Sequence, residues 1–138
     1  MDAMRSDWSA MNFDTCEFHV TGEAIKRDKL HGRGIPERYV QVPETAMRLL
    51  TRGQTGRIVP MGIRAFSKRI AQMKEILGLD TWPHDCLRHS AGTYMLAEKG
   101  DGAWVANWMG HTNIKMLMRN YARAVPKAVA VEWWALKP

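Results

Sequence analysis

The chain is expected to fold as an α+β domain, mostly helical, with a small three-stranded antiparallel sheet in its first third. Three observations point there. Short alternating, β-branched and aromatic stretches crowd the start of the sequence. Apolar residues then recur at three- and four-residue spacing over the remainder. Gly, Pro, Asp and Thr fall at the boundaries between these stretches.

Residues 3 to 11 read as the tail of a helix, with Ala3, Met4, Trp8 and Met11 apolar and nothing before them to complete a core. Cys16 to Val20 alternates and reads as a strand, Thr21-Gly22 as a turn, and 23–28 as a second short strand. The loop HGRGIP covers 31–36. A third strand, RYVQV, runs from Arg38 to Val42 and stops at Pro43. A sheet this small needs helices packed on it. Pro43-Glu44 opens a helix to Leu50, closed by Gly53. Residues 61–77 place Ile63, Phe66, Ile70, Met73 and Leu77 on one stripe. Thr81 is a candidate N-cap for the next helix, with Leu87, Ala91, Tyr94, Met95 and Ala97 facing in and Gly100 ending it. Asp101 caps a short helix to Met109, closed by Gly110. Thr112 caps a helix carrying Ile114, Leu117, Met118 and Tyr121. A last apolar helix spans residues 127–136, and the whole of 1–138 reads as one domain.

Composition narrows the function classes. Of 138 residues, 46% are hydrophobic and 25% charged, which supports a packed core and argues against general disorder. Lys and Arg outnumber Asp and Glu by 20 to 14, a net charge of +6 that suits a polyanionic partner. Cys16 and Cys86 form no CxxC pair, which fits a reducing, cytoplasmic setting rather than a disulfide framework. No apolar run approaches a membrane span, and MDAMRSDWSA has no signal-peptide core. The abundant Met and Trp read as core filling.

Three local signals follow one another. Leu87-Arg88-His89-Ser90 lies early in a helix, Met109-Gly110-His111 at a helix junction, and Arg119-Asn120-Tyr121 beyond it. Taken singly, each has an ordinary structural explanation. An arginine on a helix is usually solvated, a Gly-His at a helix boundary usually caps, and Tyr121 lies on the apolar stripe of its own helix. A zinc site built from His84, His89 and His111 is the competing enzymatic reading. It is weak, because His84 and His89 are five residues apart and fall on different helix faces.

Taken together, LRHS followed by MGHTNIKMLMRNY resembles the signature of the tyrosine recombinases, the phage-integrase family. In that family an arginine, a Gly-His pair and a nucleophilic tyrosine succeed one another through three helices. The resemblance extends upstream: AIKRDK with RYVQVP is similar to the family's β-hairpin, and DAMRSDWSAMNFD to its acidic entry segment with Asp2 in the acidic place. It implies a tyrosine recombinase catalytic-domain fold, site-specific recombination or integration of DNA, double-stranded DNA as partner, assembly with other protomers on DNA, and no cofactor. It implies Tyr121 as nucleophile, attacking a phosphodiester to leave a 3′-phosphotyrosyl link. Arg88 would hold the non-bridging oxygens with its planar fork, and His111 would hydrogen-bond the same phosphate. Lys26, or Lys29 in its stead, would protonate the leaving oxygen. The segment 127–136 would be a helix that docks onto a neighbouring protomer. The link conserves the bond energy, and no Walker-type GxxxxGK[ST] occurs in the sequence.

Two departures from the family pattern stand out. A histidine is usual three residues before Arg88, where this chain has Asp85; His84, one residue earlier, could substitute if the helix start is distorted. The family's first catalytic arginine falls just before the place of Asp2, Arg5 is not in that place, and the N-terminal clamp domain lies outside the sequence as well. On this reading the chain is a partial catalytic domain with impaired activity. The alternative is a non-catalytic DNA-binding or protomer-interaction remnant of an integrase. A generic helical DNA-binding regulator would leave the histidine and tyrosine as coincidences.

Overall fold

A computed structural model describes residues 6–21, 37–111, 113–121 and 125–136, apart from the side chains of Met116 and Asn120. It is about half helical, with a three-stranded antiparallel sheet in the order β1 (Met11–Asn12), β2 (Glu17–Val20), β3 (Arg38–Gln41). Six helices follow: α1 (Glu44–Met47), α2 (Ile63–Ile76), α3 (Cys86–Lys99), α4 (Gly102–Met109), α5 (Ile114–Tyr121) and α6 (Lys127–Trp134).

The α+β class holds, but the sheet is assembled differently from the expectation. The segment expected to end a helix instead makes a 3-10 turn, Trp8–Ala10, and enters β1. Asp7 causes the change: its carboxylate accepts from the Ser9 amide, a local turn that competes with helix. Met11 then pairs with Phe18 and is buried. The strand expected at 23–28 lies outside the described residues. Strands β2 and β3 match their predicted places, in register Phe18 to Val40 and Val20 to Arg38.

The core is helical: Met95 of α3, Val105, Ala106 and Met109 of α4, and Leu117 and Tyr121 of α5. Helix α4 begins at Asp101, whose carboxylate accepts from the Ala103 and Trp104 amides, and ends at Gly110 in the left-handed region (φ 72°). Gly100 ends α3 in the same conformation. Helix α6 docks on α3 through buried Ala130 and the stacked rings of Tyr94 and Trp133, 4.6 Å between centroids. The Thr45 hydroxyl donates to the Trp134 carbonyl and ties α1 to the end of α6.

Three expectations need correction. Helix α1 is one turn long and does not reach Leu50. Thr81 does not cap α3: the helix starts at Cys86 behind Asp85, which adopts a left-handed backbone (φ 52°). Leu87, in the first turn of α3 and expected inside, is 64% exposed. Ile114 and Met118 of the α5 stripe are largely exposed and lie over Gly102 at the rim of the core. Thr112, the expected cap of α5, lies outside the described residues; the Asn113 side chain accepts from the Lys115 amide there. The predicted stripe of α2 exists, yet Ile63, Met73 and Leu77 remain exposed.

Candidate active site

The α4–α5 junction gathers three of the candidate side chains, Arg88, His111 and Tyr121. Gly110 reverses the chain after α4, and the His111 amide donates back to the Ala106 carbonyl at 2.8 Å. This bond fixes His111 at the mouth of the turn. Arg88, one turn into α3, sends Nη2 to the Met109 carbonyl at 2.9 Å. Arg88 and His111 therefore meet at one turn from two helices. His111 is partly buried and its Nδ1 is enclosed without a hydrogen-bond partner. Burial lowers its pKa below the ordinary 6.5, and the positive charge of Arg88 lowers it further. At neutral pH the imidazole is neutral, and a polar nitrogen is held ready beside a fixed guanidinium.

Tyr121 closes the cluster. It is 3% exposed and packed between two imidazoles, with centroids 5.4 Å from His111 and 5.0 Å from His89. It reaches this place because α3 has no side chain at Gly92. A Cβ there would stand 2.8 Å from Tyr121 Cδ1 and 2.6 Å from Met109 Sδ. The reading of Tyr121 as a core residue and the reading of it as part of the site thus describe one position.

The remaining sequence candidates fall elsewhere or out of view. Asp85 lies at the α3 start, where its carbonyl accepts from the His89 amide at 2.8 Å and its side chain faces solvent. His84 is 93% exposed and sits 3.6 Å from the Asp85 carboxylate. The helix start is distorted, as substitution by His84 required, but the imidazole lies at the surface against Asp85. Lys26 and Lys29 lie outside the described residues, as do Asp2 and Arg5. Among the described residues no three His, Cys, Asp or Glu side chains come together as a metal site.

Gly92 and Arg38 beside the cluster were not singled out from the sequence, and His89 only within LRHS and as a zinc-ligand candidate. His89 follows Arg88 and turns onto Tyr121. Gly92 continues the same face of α3, one helical turn on from Arg88. Arg38 reaches in from β3 and lies over Gly110, with Nη2 2.6 Å from the place of a Cβ. Helical spacing could have found Gly92, but only tertiary contact reveals Arg38.

An arginine and a histidine converging on one turn beside a tyrosine, in a helical domain with a small sheet, define an α+β domain with a cationic cluster suited to an anion. The sequence matches the phage integrase family over residues 2–127, and the chain belongs to that family, whose general activity is site-specific DNA recombination. No curated protein and no solved structure matches it. No helix among the described residues is long and apolar enough to cross a membrane.

Proposed function

We propose that this chain cleaves and rejoins DNA strands through a covalent bond between Tyr121 and a 3′-phosphate. The Tyr121 oxygen attacks the scissile phosphorus, the bond from phosphorus to the 5′-oxygen breaks, and the tyrosine proton passes to a base. Lys26 protonates the departing 5′-oxygen. Rejoining reverses these transfers with a 5′-hydroxyl from a partner strand. Arg88 and His111 bind the non-bridging oxygens, where negative charge builds as the nucleophile adds. The observation that supports this reading is the convergence of Arg88 and His111 on the Met109–Gly110–His111 turn beside Tyr121. Double-stranded DNA is the partner. Other protomers assemble on it through the outer face of α6, where Val129 and Val131 are exposed.

A second reading, a non-catalytic DNA-binding or protomer-interaction remnant, draws on the burial of Tyr121. A nucleophile must leave the core to reach a phosphate. The two readings separate on a nicked suicide substrate, which traps the covalent intermediate because the cut fragment diffuses away. The catalytic reading expects a protein–DNA adduct that vanishes in Tyr121→Phe. DNA binding without any adduct would favour the remnant. An adduct that persists in Tyr121→Phe would transfer the chemistry to another residue.

A further inference from the structure

We propose that Arg38 on β3 is a positioning residue of the phosphate site, holding the Met109–Gly110–His111 turn from the sheet while Arg88 holds it from α3. The inference rests on the proposed function and gives Arg38, the first residue of the RYVQVP strand, a role of its own beyond that strand's resemblance to the family. The first ground is contact. The guanidinium of Arg38 occupies the space of a side chain at Gly110, with Nη2, Cζ and Nη1 at 2.6, 2.7 and 3.0 Å from a Cβ built there. Gly110 is favoured by its left-handed backbone (φ 72°), and its lack of a side chain leaves the space that the Arg38 head fills.

The second ground is where the charge goes. Next to Arg38, Tyr39 stands in solvent, 65% exposed. An arginine on such a strand could extend into water, since its long stem lets the head snorkel. Instead its Nε and Nη1 are buried at the turn. Desolvating a guanidinium is costly, so this placement is expected where the charge or the planar fork is used. The third ground is a second tie between the same elements: Trp108 Nε1 donates to the Gln41 carbonyl at 2.7 Å, fixing α4 against β3 one residue before Met109. Strand β3 thus locks the end of α4 and the turn that presents His111.

The two arginines address adjacent residues, Arg88 the Met109 carbonyl and Arg38 the α-carbon of Gly110. Both stay protonated, and an anion bound at Arg88 lies beside the turn that both flank. In this scheme Arg38 sets the orientation of His111 toward that anion and need not touch it.

Inorganic vanadate, which mimics a phosphoryl group in transfer, serves as the probe. It is titrated into the intact chain carrying isotope-labelled histidine, with the His111 ring signals followed by NMR and thermal unfolding recorded beside. We expect Arg38→Lys to weaken vanadate binding by about tenfold and to shift the His111 signals while the unfolding midpoint stays near wild type. Arg38→Gln, planar but uncharged, serves as a second variant and should weaken binding at least as much. A folded Arg38→Lys or Arg38→Gln protein with wild-type affinity and unmoved His111 signals overturns the proposal. Unfolding of both variants also overturns it, since Arg38 would then be a stability residue only. Arg88→Ala separates the deeper question. If it binds vanadate as wild type does, or wild type binds none, the phosphate-site reading itself fails and the Arg38 role falls with it.

Discussion

At Gly92 the backbone of α3 comes within touching distance of Met109 and Tyr121. Two effects oppose each other in Gly92→Ala. Helix propensity favours alanine by about 1 kcal/mol. Overpacking costs about 1–3 kcal/mol. The Met109 thioether can swing aside, but the Tyr121 ring is 3% exposed and packed against the His89 and His111 rings, so overpacking wins. We expect Gly92→Ala to lower stability by about 1 kcal/mol in urea denaturation and to raise the solvent reactivity of Tyr121. A stabilised variant would mean that the core yields freely around the tyrosine. His111 carries a pH signature at the same scale. Its folded pKa lies below the unfolded 6.5, so between these values the unfolded chain binds the extra proton. Stability from this residue is therefore complete above 6.5 and is lost as pH falls through the folded pKa. His111→Gln should flatten the dependence of unfolding free energy on pH in that window. An anion at the site favours the imidazolium, so vanadate should shift the His111 titration upward.

Among the described residues, α5 contributes two buried side chains to the core, Leu117 and Tyr121, one turn apart. Leu117 is 0% exposed, and both residues point to α3 and α4, while Ile114 and Met118 stay at the rim. Removing the Leu117 side chain leaves a cavity that a helix packed on one face closes only in part. We expect Leu117→Ala to cost about 2–5 kcal/mol, measured by chemical denaturation. Amide exchange should then become fast in α5 before α3, because α3 keeps its contacts with α4 and α6. Uniform loss of protection across α3 and α5 would show that they open as one unit. Helix α2 illustrates the reverse case: its stripe has the right spacing, yet Ile63, Met73 and Leu77 meet solvent. Periodicity specifies that a helix forms, and contact with other elements decides whether its apolar face is covered.

For the whole molecule the relevant quantity is the net charge of +6. Binding to duplex DNA should be driven by the release of counterions from phosphate. Its logarithm should fall by about 0.9 per logarithmic unit of salt for each phosphate contacted. If Arg88 contacts one phosphate, Arg88→Ala should reduce that slope by about 0.9, a difference measurable by fluorescence anisotropy across a salt series. An unchanged slope with weakened binding would place Arg88 away from the DNA backbone.

Much of this was legible in the residues themselves. The Asp101 cap, the glycine stops at Gly100 and Gly110, and the spacing of Leu117 and Tyr121 are local features, and local backbone geometry realises them directly. The family, too, is written in the order of Arg88, His111 and Tyr121 along the chain. Other parts depended on what packs against what. The turn around Asp7 prevailed over a helix reading because a side-chain hydrogen bond and the pairing of Met11 with Phe18 act together. Helix α3 starts late, at a left-handed Asp85, with Leu87 exposed in its first turn and His84 at the surface. The place of Arg38 at the turn could not be read from RYVQVP, since it arises from a strand brought against a turn about seventy residues further along the chain. By itself the sequence determined the fold class, the family, the helices that carry Arg88 and Tyr121, and the helix junction that carries His111. Only the tertiary structure decided that Tyr121 is buried between two histidines and that Arg38 joins Arg88 at one turn, because burial and convergence are properties of distance in space, which spacing along a chain does not contain.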